Sequence, residues 1–120
     1  MTWNYLESNW DAASNHTKFS FPFKEKPTLP AELTKKVIDN LIKEKIVDIK
    51  RIYVAGLSLG GFGTFDMIER YPGFFAAAIP ICGGGNTSLA KRIAGKTAVW
   101  IFHGSEDPSV DVINSRNYYK

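Results

Sequence analysis

The stretch Arg51-Ile52-Tyr53-Val54-Ala55-Gly56-Leu57-Ser58-Leu59-Gly60-Gly61-Phe62-Gly63 restricts the possible folds more than any other part of this chain. Arg51 to Ala55 alternates and is rich in β-branched and aromatic side chains, which predicts a short strand. Gly56 to Gly61 predicts a turn, and from Phe62 onward the spacing is helical. Strand, tight turn and helix in that order, with Gly56-x-Ser58-x-Gly60 at the junction, fits a nucleophile elbow, in which a serine on a strained turn pushes its hydroxyl out above a sheet. Such a junction should leave no room for Cβ atoms two residues before and after the serine, which accounts for Gly56 and Gly60. Ser58 is therefore the candidate nucleophile. A plainer reading of the same residues is that the glycines only ease strand–helix packing. The flanking strand and helix, and a second, acid-bearing loop at His103 to Pro108, favour the elbow.

The remaining chain alternates helix and strand. Pro30 stands where a helix can begin, and Leu33, Val37, Ile38, Leu41, Ile42 and Ile46 predict one apolar stripe running to about Ile46. Tyr71-Pro72-Gly73 stops the helix after the elbow. Ala76 to Ile81 reads as a buried strand in which Pro80 must sit where its missing N–H does no harm. Gly83-Gly84-Gly85 breaks that strand, and Asn86 to Ile93 predicts a short, weak helix. Thr97 to Phe102, nearly all apolar, predicts a third strand covered on both faces. The His103–Pro108 turn ends it, and a last helix begins at Ser109. Three strands separated by helical segments predict an α/β fold with a parallel sheet, whose ligands bind beyond the carboxyl ends of the strands. Ser58 and Asp107 both fall at such ends.

Several function classes are disfavoured. At 120 residues the chain forms at most one domain. The formal charge of +3 comes from lysines interspersed with Glu32, Asp39, Glu44 and Asp48, a solvated helix face rather than a nucleic-acid surface. The single cysteine, Cys82, excludes an internal disulfide and reads as a small apolar residue at a strand end. No signal peptide or membrane span is expected. The triple glycine lacks the Lys-Ser/Thr of a phosphate loop, and no cofactor or metal motif is visible. Residues 1–27 hold Trp3, Tyr5, Trp10, Phe19, Phe21 and Phe23 among polar residues and two prolines, which predicts an irregular loop. Its rings either pack down on the domain or, with Trp3 and Trp10 as candidates, line a substrate cleft. His16 in this loop reads as a surface or hydrogen-bonding histidine rather than a catalytic base.

A serine hydroxyl attacks a carbonyl only poorly until a base removes its proton, and that base is usually a histidine oriented by a carboxylate. The N–H of Leu59, at the start of the helix, is placed as an oxyanion donor. Asp107 is the candidate acid, preferred to Glu106 because an Asp-Pro turn fixes its position.

With these residues in view, the chain resembles the α/β-hydrolase superfamily, most closely its phospholipase/carboxylesterase and predicted-peptidase branch, related to polyhydroxybutyrate-depolymerase-like and feruloyl esterases. The resemblance rests on Arg-Ile-Tyr-Val, Gly-Leu-Ser58-Leu-Gly-Gly, Glu-Arg-Tyr-Pro, Ile-Pro-Ile-Cys-Gly-Gly and His-Gly-x-x-Asp107, and covers roughly residues 28–120. It implies a partial α/β-hydrolase domain over 28–120, an incomplete sheet truncated at both ends, with residues 1–27 bordering the cleft. It also implies a serine hydrolase acting on a small-molecule carboxylic ester through an acyl-enzyme on Ser58, with Asp107 as acid and Leu59 as oxyanion donor. Family members carry the catalytic histidine after the acid, beyond Lys120, and His103 in their His-Gly is structural. The expectation is thus a piece of a longer enzyme, inactive alone. The alternatives are a non-catalytic binding or assembly module, and a peptidase or acyltransferase using the same residues.

Overall fold

The computed structural model describes residues 23–119. Trp3, Trp10 and His16, with most of the aromatic loop expected over 1–27, lie outside the described residues.

Helix α1 (Leu29–Lys43) starts with Thr28 as N-cap and Pro30 in its first turn. It stops before Ile46, where the apolar spacing alone would have carried it. Lys45 adopts φ 57°, and its N–H donates to the Ile42 carbonyl while that of Ile46 donates to Leu41. These are the two bonds of a Schellman stop, here built on lysine where glycine is usual. Lys45→Gly should therefore raise stability by about 1 kcal/mol in chemical denaturation, because it removes the left-handed penalty. The expected stripe is only partly used. Ala31 is buried and Ile38 packs on the core, whereas Leu33 and Val37 remain exposed.

Strand β1 (Tyr53–Leu57), helix α2 (Leu59–Arg70) and strand β2 (Ala77–Ile81) follow. A short 3-10 turn (Thr87–Leu89), α3 (Ala90–Ile93), strand β3 (Ala98–Val99), α4 (Ile113–Arg116) and a final 3-10 turn (Asn117–Tyr119) complete the described chain. The three strands are parallel in the order β1-β2-β3. The fold is the expected α/β arrangement, an open sheet with flanking helices. Strand β1 runs later than Arg51 to Ala55, because Gly56 and Leu57 still pair with Pro80 and Ile81, while Arg51 is tied into a turn by Asp48.

The third strand departs most from expectation, and the cause lies on its neighbour. Trp100 N–H donates to Ala78 O and Phe102 N–H to Pro80 O, while Cys82 N–H donates to Phe102 O. The missing rung between them would be an N–H from position 80 to the Trp100 carbonyl, and proline has none. Pairing therefore lapses after Val99 and returns only as a single bridge, Ile81 with Phe102.

The core sits on one face of the sheet. Phe65, Met67, Ile68 and Phe75 are all but fully buried there, with Ala31 and Ile93 from α1 and α3, each large side chain contributing about 1.5–3 kcal/mol. Tyr53, Leu57, Ile79, Trp100 and Phe102 point to the opposite face and are exposed. That contradicts the expectation of a third strand covered on both sides, at least among the described residues. The C-terminal end of α2 is held by a buried ion pair, Arg70 Nε to Asp66 at 2.8 Å. Arg70 also donates to the Lys24 carbonyl and stacks on Phe23, so the end of the aromatic loop packs down on the domain.

Candidate active site

The chain turns sharply at Ser58, and that turn positions the candidate nucleophile. The turn is tighter than the sequence suggests, since Ser58 alone separates β1 from α2 and serves as the helix N-cap. Its backbone stands at φ 54°, ψ −113°, the first central position of a type II′ turn and normally a glycine's conformation. A serine held there costs roughly 1–3 kcal/mol. The Ser58 N–H donates to Ile81 O at 2.8 Å, which pins the turn to the end of β2. The side chain is exposed.

The glycines divide differently from expectation. A Cβ on Gly56 would overlap the Gly60 carbonyl, but a Cβ on Gly60 would meet nothing within 4 Å. The second crowded position is Gly61, whose Cβ would lie 2.6 Å from Ile81 O and 3.0 Å from the Cα of Gly83. Gly60 is thus not required for space, because its Cβ direction points away from the sheet while Gly61 faces it. Gly83 in turn has no room against Gly61, and a Cβ on Gly85 would meet Glu69 and Phe65 at 2.6 and 2.7 Å. Gly83 thus serves close backbone packing beside the elbow, and Gly85 leaves room for buried side chains.

Leu59 is the first residue of α2, where N–H groups have no intrahelical acceptor and the helix dipole favours negative charge. Its N–H is available on that count as an anion donor next to Ser58.

Beyond β3, Asp107 closes a turn of its own. Oδ1 accepts the N–H groups of Ser109 and Val110 at 2.9 and 3.0 Å. Those bonds hold its carboxyl below the usual aspartate range, with smaller help from His103 and the Cys82 thiol. Cys82, at φ 44°, is a half-buried residue at a strand end. Glu106 is exposed.

His103 is fully committed. Nε2 lies 2.7 Å from the Val110 carbonyl, which can only accept, so in the neutral ring Nδ1 takes the Ser115 hydroxyl at 2.6 Å. Its ring, 3.7 Å from Asp107, ties the acid turn to α4.

The elbow follows β1 and the acid turn follows β3, with the end of β2 between them. Two strand spacings amount to roughly 10 Å, a gap wide enough for an imidazole. Glu69, a carboxylic acid that is 1% exposed in α2, was not among the expected site residues. In the sequence it is only one of two acids, with Asp66, in a helix that also carries Arg70.

A match to the Prolyl oligopeptidase family spans residues 34–91. The chain is 32% identical over 100 residues to poly(3-hydroxyalkanoate) depolymerase C of Paucimonas lemoignei, covering 67% of this chain and 24% of that protein. It is 27% identical over 123 aligned positions to the bifunctional acetylxylan esterase/xylanase XynS20E of Neocallimastix patriciarum, covering 92% of this chain and 18% of that one. Among solved structures, a thermostable esterase superposes with a TM-score of 0.73 and 44% identity, over 83% of this chain and 25% of the esterase. The chain thus spans a quarter or less of the length of these relatives.

Proposed function

This chain belongs to the α/β-hydrolase superfamily, and on that premise we propose that it carries the nucleophile and acid of a serine hydrolase acting on carboxylic esters. The observation that supports this most is the backbone of Ser58. A non-glycine residue at φ 54°, ψ −113° between a parallel strand and a helix N-terminus is costly, and such strain collects at functional sites. The names of the relatives, a polyester depolymerase and an acetylxylan esterase, fit ester substrates.

In the proposed reaction Ser58 Oγ adds to the ester carbonyl as its proton passes to an imidazole base. The carbonyl oxygen, now anionic, is held by the Leu59 N–H at the head of α2. Collapse expels the alcohol, protonated by the same imidazole, and leaves an acyl-enzyme on Ser58. Water, deprotonated by that base, then releases the acid. Asp107 orients the imidazole, its carboxylate kept ionised by the Ser109 and Val110 N–H groups.

Among the described residues no histidine is free for the base role, since both nitrogens of His103 are engaged. The 120 residues alone are accordingly expected to hydrolyse p-nitrophenyl acetate several orders of magnitude more slowly than a longer reading frame that adds a histidine after the acid. Initial rates of the two side by side test this. Comparable rates would show that a base has been misassigned. A peptidase or acyltransferase would use the same Ser58, and the Prolyl oligopeptidase match favours testing it. Product analysis with competing alcohols and amines separates these reactions.

A further inference from the structure

We propose that Glu69 is a positioning residue, a buried brace that holds the Asp107 turn in place relative to the Ser58 elbow through Asn86 and Tyr118. Its functional meaning rests on the hydrolase reading above, but its geometry stands apart from it. Glu69 lies on α2, the helix that starts at the elbow, about 15 Å along the axis from Leu59. Its Oε1 accepts the Asn86 N–H at 2.9 Å and the Tyr118 hydroxyl. Asn86 ends the glycine loop that packs against Gly61. Tyr118 lies just after α4 and stacks on Phe65 with ring centroids 4.2 Å apart.

The other end of this last segment grips the acid turn. Ser115 of α4 bonds His103, His103 bonds the Val110 carbonyl, and Val110 N–H bonds Asp107. One short segment, 110–118, is thereby fastened to the acid turn at its start and to α2 at its end. Glu69 is the polar member of the second fastening. Gly85 leaves it room, since any side chain there would strike both Glu69 and Tyr118.

Among the described residues, the charged and titratable groups facing Glu69 are Asp66 and Arg70 on its own helix and Tyr118 opposite, while the loop presents the Asn86 amide and Gly85. Burial pushes the Glu69 carboxyl up to about 8, and Asp66 adds to the rise, against the opposing hydrogen bonds of Tyr118 and Asn86 and the charge of Arg70. An acid raised in the folded state gives its stabilisation fully below its unfolded value near 4.5, and loses it as pH rises through about 8. The braced region should therefore lose stability on the alkaline side, because the cost of a buried charge outweighs the gain in the two hydrogen bonds, which favour the ionised carboxyl.

The test uses the full 120-residue chain as wild type, Glu69→Gln and Tyr118→Phe. Glu69→Gln keeps an oxygen acceptor for both donors but cannot ionise, and Tyr118→Phe keeps the stacked ring but loses the hydroxyl. Carboxyl 13C NMR follows the titration midpoint of Asp107, and amide hydrogen exchange, corrected for intrinsic pH dependence, follows residues 103–119 at pH 6 and 9. Tyr118→Phe should shift the Asp107 midpoint upward and speed exchange in 103–119 roughly tenfold, the size expected for one buried hydrogen bond. Wild type should lose protection between pH 6 and 9, whereas Glu69→Gln should keep both its protection and the wild-type Asp107 midpoint. An unmoved Asp107 with unchanged exchange in Tyr118→Phe, or wild-type pH dependence in Glu69→Gln, would overturn the brace. Fluorophosphonate labelling of Ser58, carried out on a longer reading frame that adds a histidine after the acid, reads the hydrolase proposal separately. An adduct with an unmoved Asp107 removes only the brace, and a moved Asp107 without an adduct supports the brace while counting against the hydrolase.

Discussion

Gly56→Ala is expected to destabilise the chain by more than about 3 kcal/mol, and Gly60→Ala to leave stability unchanged or raise it by up to about 1 kcal/mol. A methyl group at position 56 overlaps the Gly60 carbonyl, and that carbonyl cannot easily give way. It is fixed in the first turn of α2 and accepts the Thr64 hydroxyl at 2.8 Å. Relief would require opening the junction between β1 and α2, which carries Phe65, Met67 and Ile68 into the core. At position 60 the same methyl group meets nothing within 4 Å, and alanine is the better helix former. Urea denaturation of both variants decides the matter. Equal losses would mean that the two glycines of the motif play the same steric part, against the geometry described here.

The second large effect concerns Ser58 itself. In the active form Ser58→Ala and Ser58→Gly should each lower ester hydrolysis by about four to six orders of magnitude, because the acyl-enzyme can no longer form. The two variants should differ in stability. Alanine keeps a Cβ at φ 54°, whereas glycine occupies that conformation freely, so Ser58→Gly should unfold at a higher denaturant concentration, by about 1 kcal/mol. Equal stability would indicate that the turn is not strained and would withdraw the main support for the functional reading.

The features legible in the sequence were those whose chemistry is local. The strand–turn–helix order, Gly56 as the crowded glycine, the break at Tyr71 to Gly73 and the parallel α/β arrangement each follow from residues a few positions apart. The structural part of His103, by contrast, was expected from the family resemblance and not from its neighbours in the chain. What stayed illegible depends on residues brought together from afar. Strand β3 is cut short by Pro80 on the strand beside it. The choice of Gly61 over Gly60 is made by Ile81 and Gly83 across the sheet. Helix α1 ends on a left-handed lysine, with no glycine to announce it. Glu69 looked like one more acid in a helix, because its partners Asn86 and Tyr118 lie 17 and 49 residues away.

The hydrolase proposal requires the oxygen at position 58 to be a nucleophile on a strained turn. The most direct test treats the longer reading frame carrying these residues with a fluorophosphonate and maps the adduct by peptide mass spectrometry. A single adduct on the peptide containing Ser58, absent from Ser58→Ala, is the predicted result. An adduct that persists in Ser58→Ala, or no adduct in a form that hydrolyses esters, would contradict it.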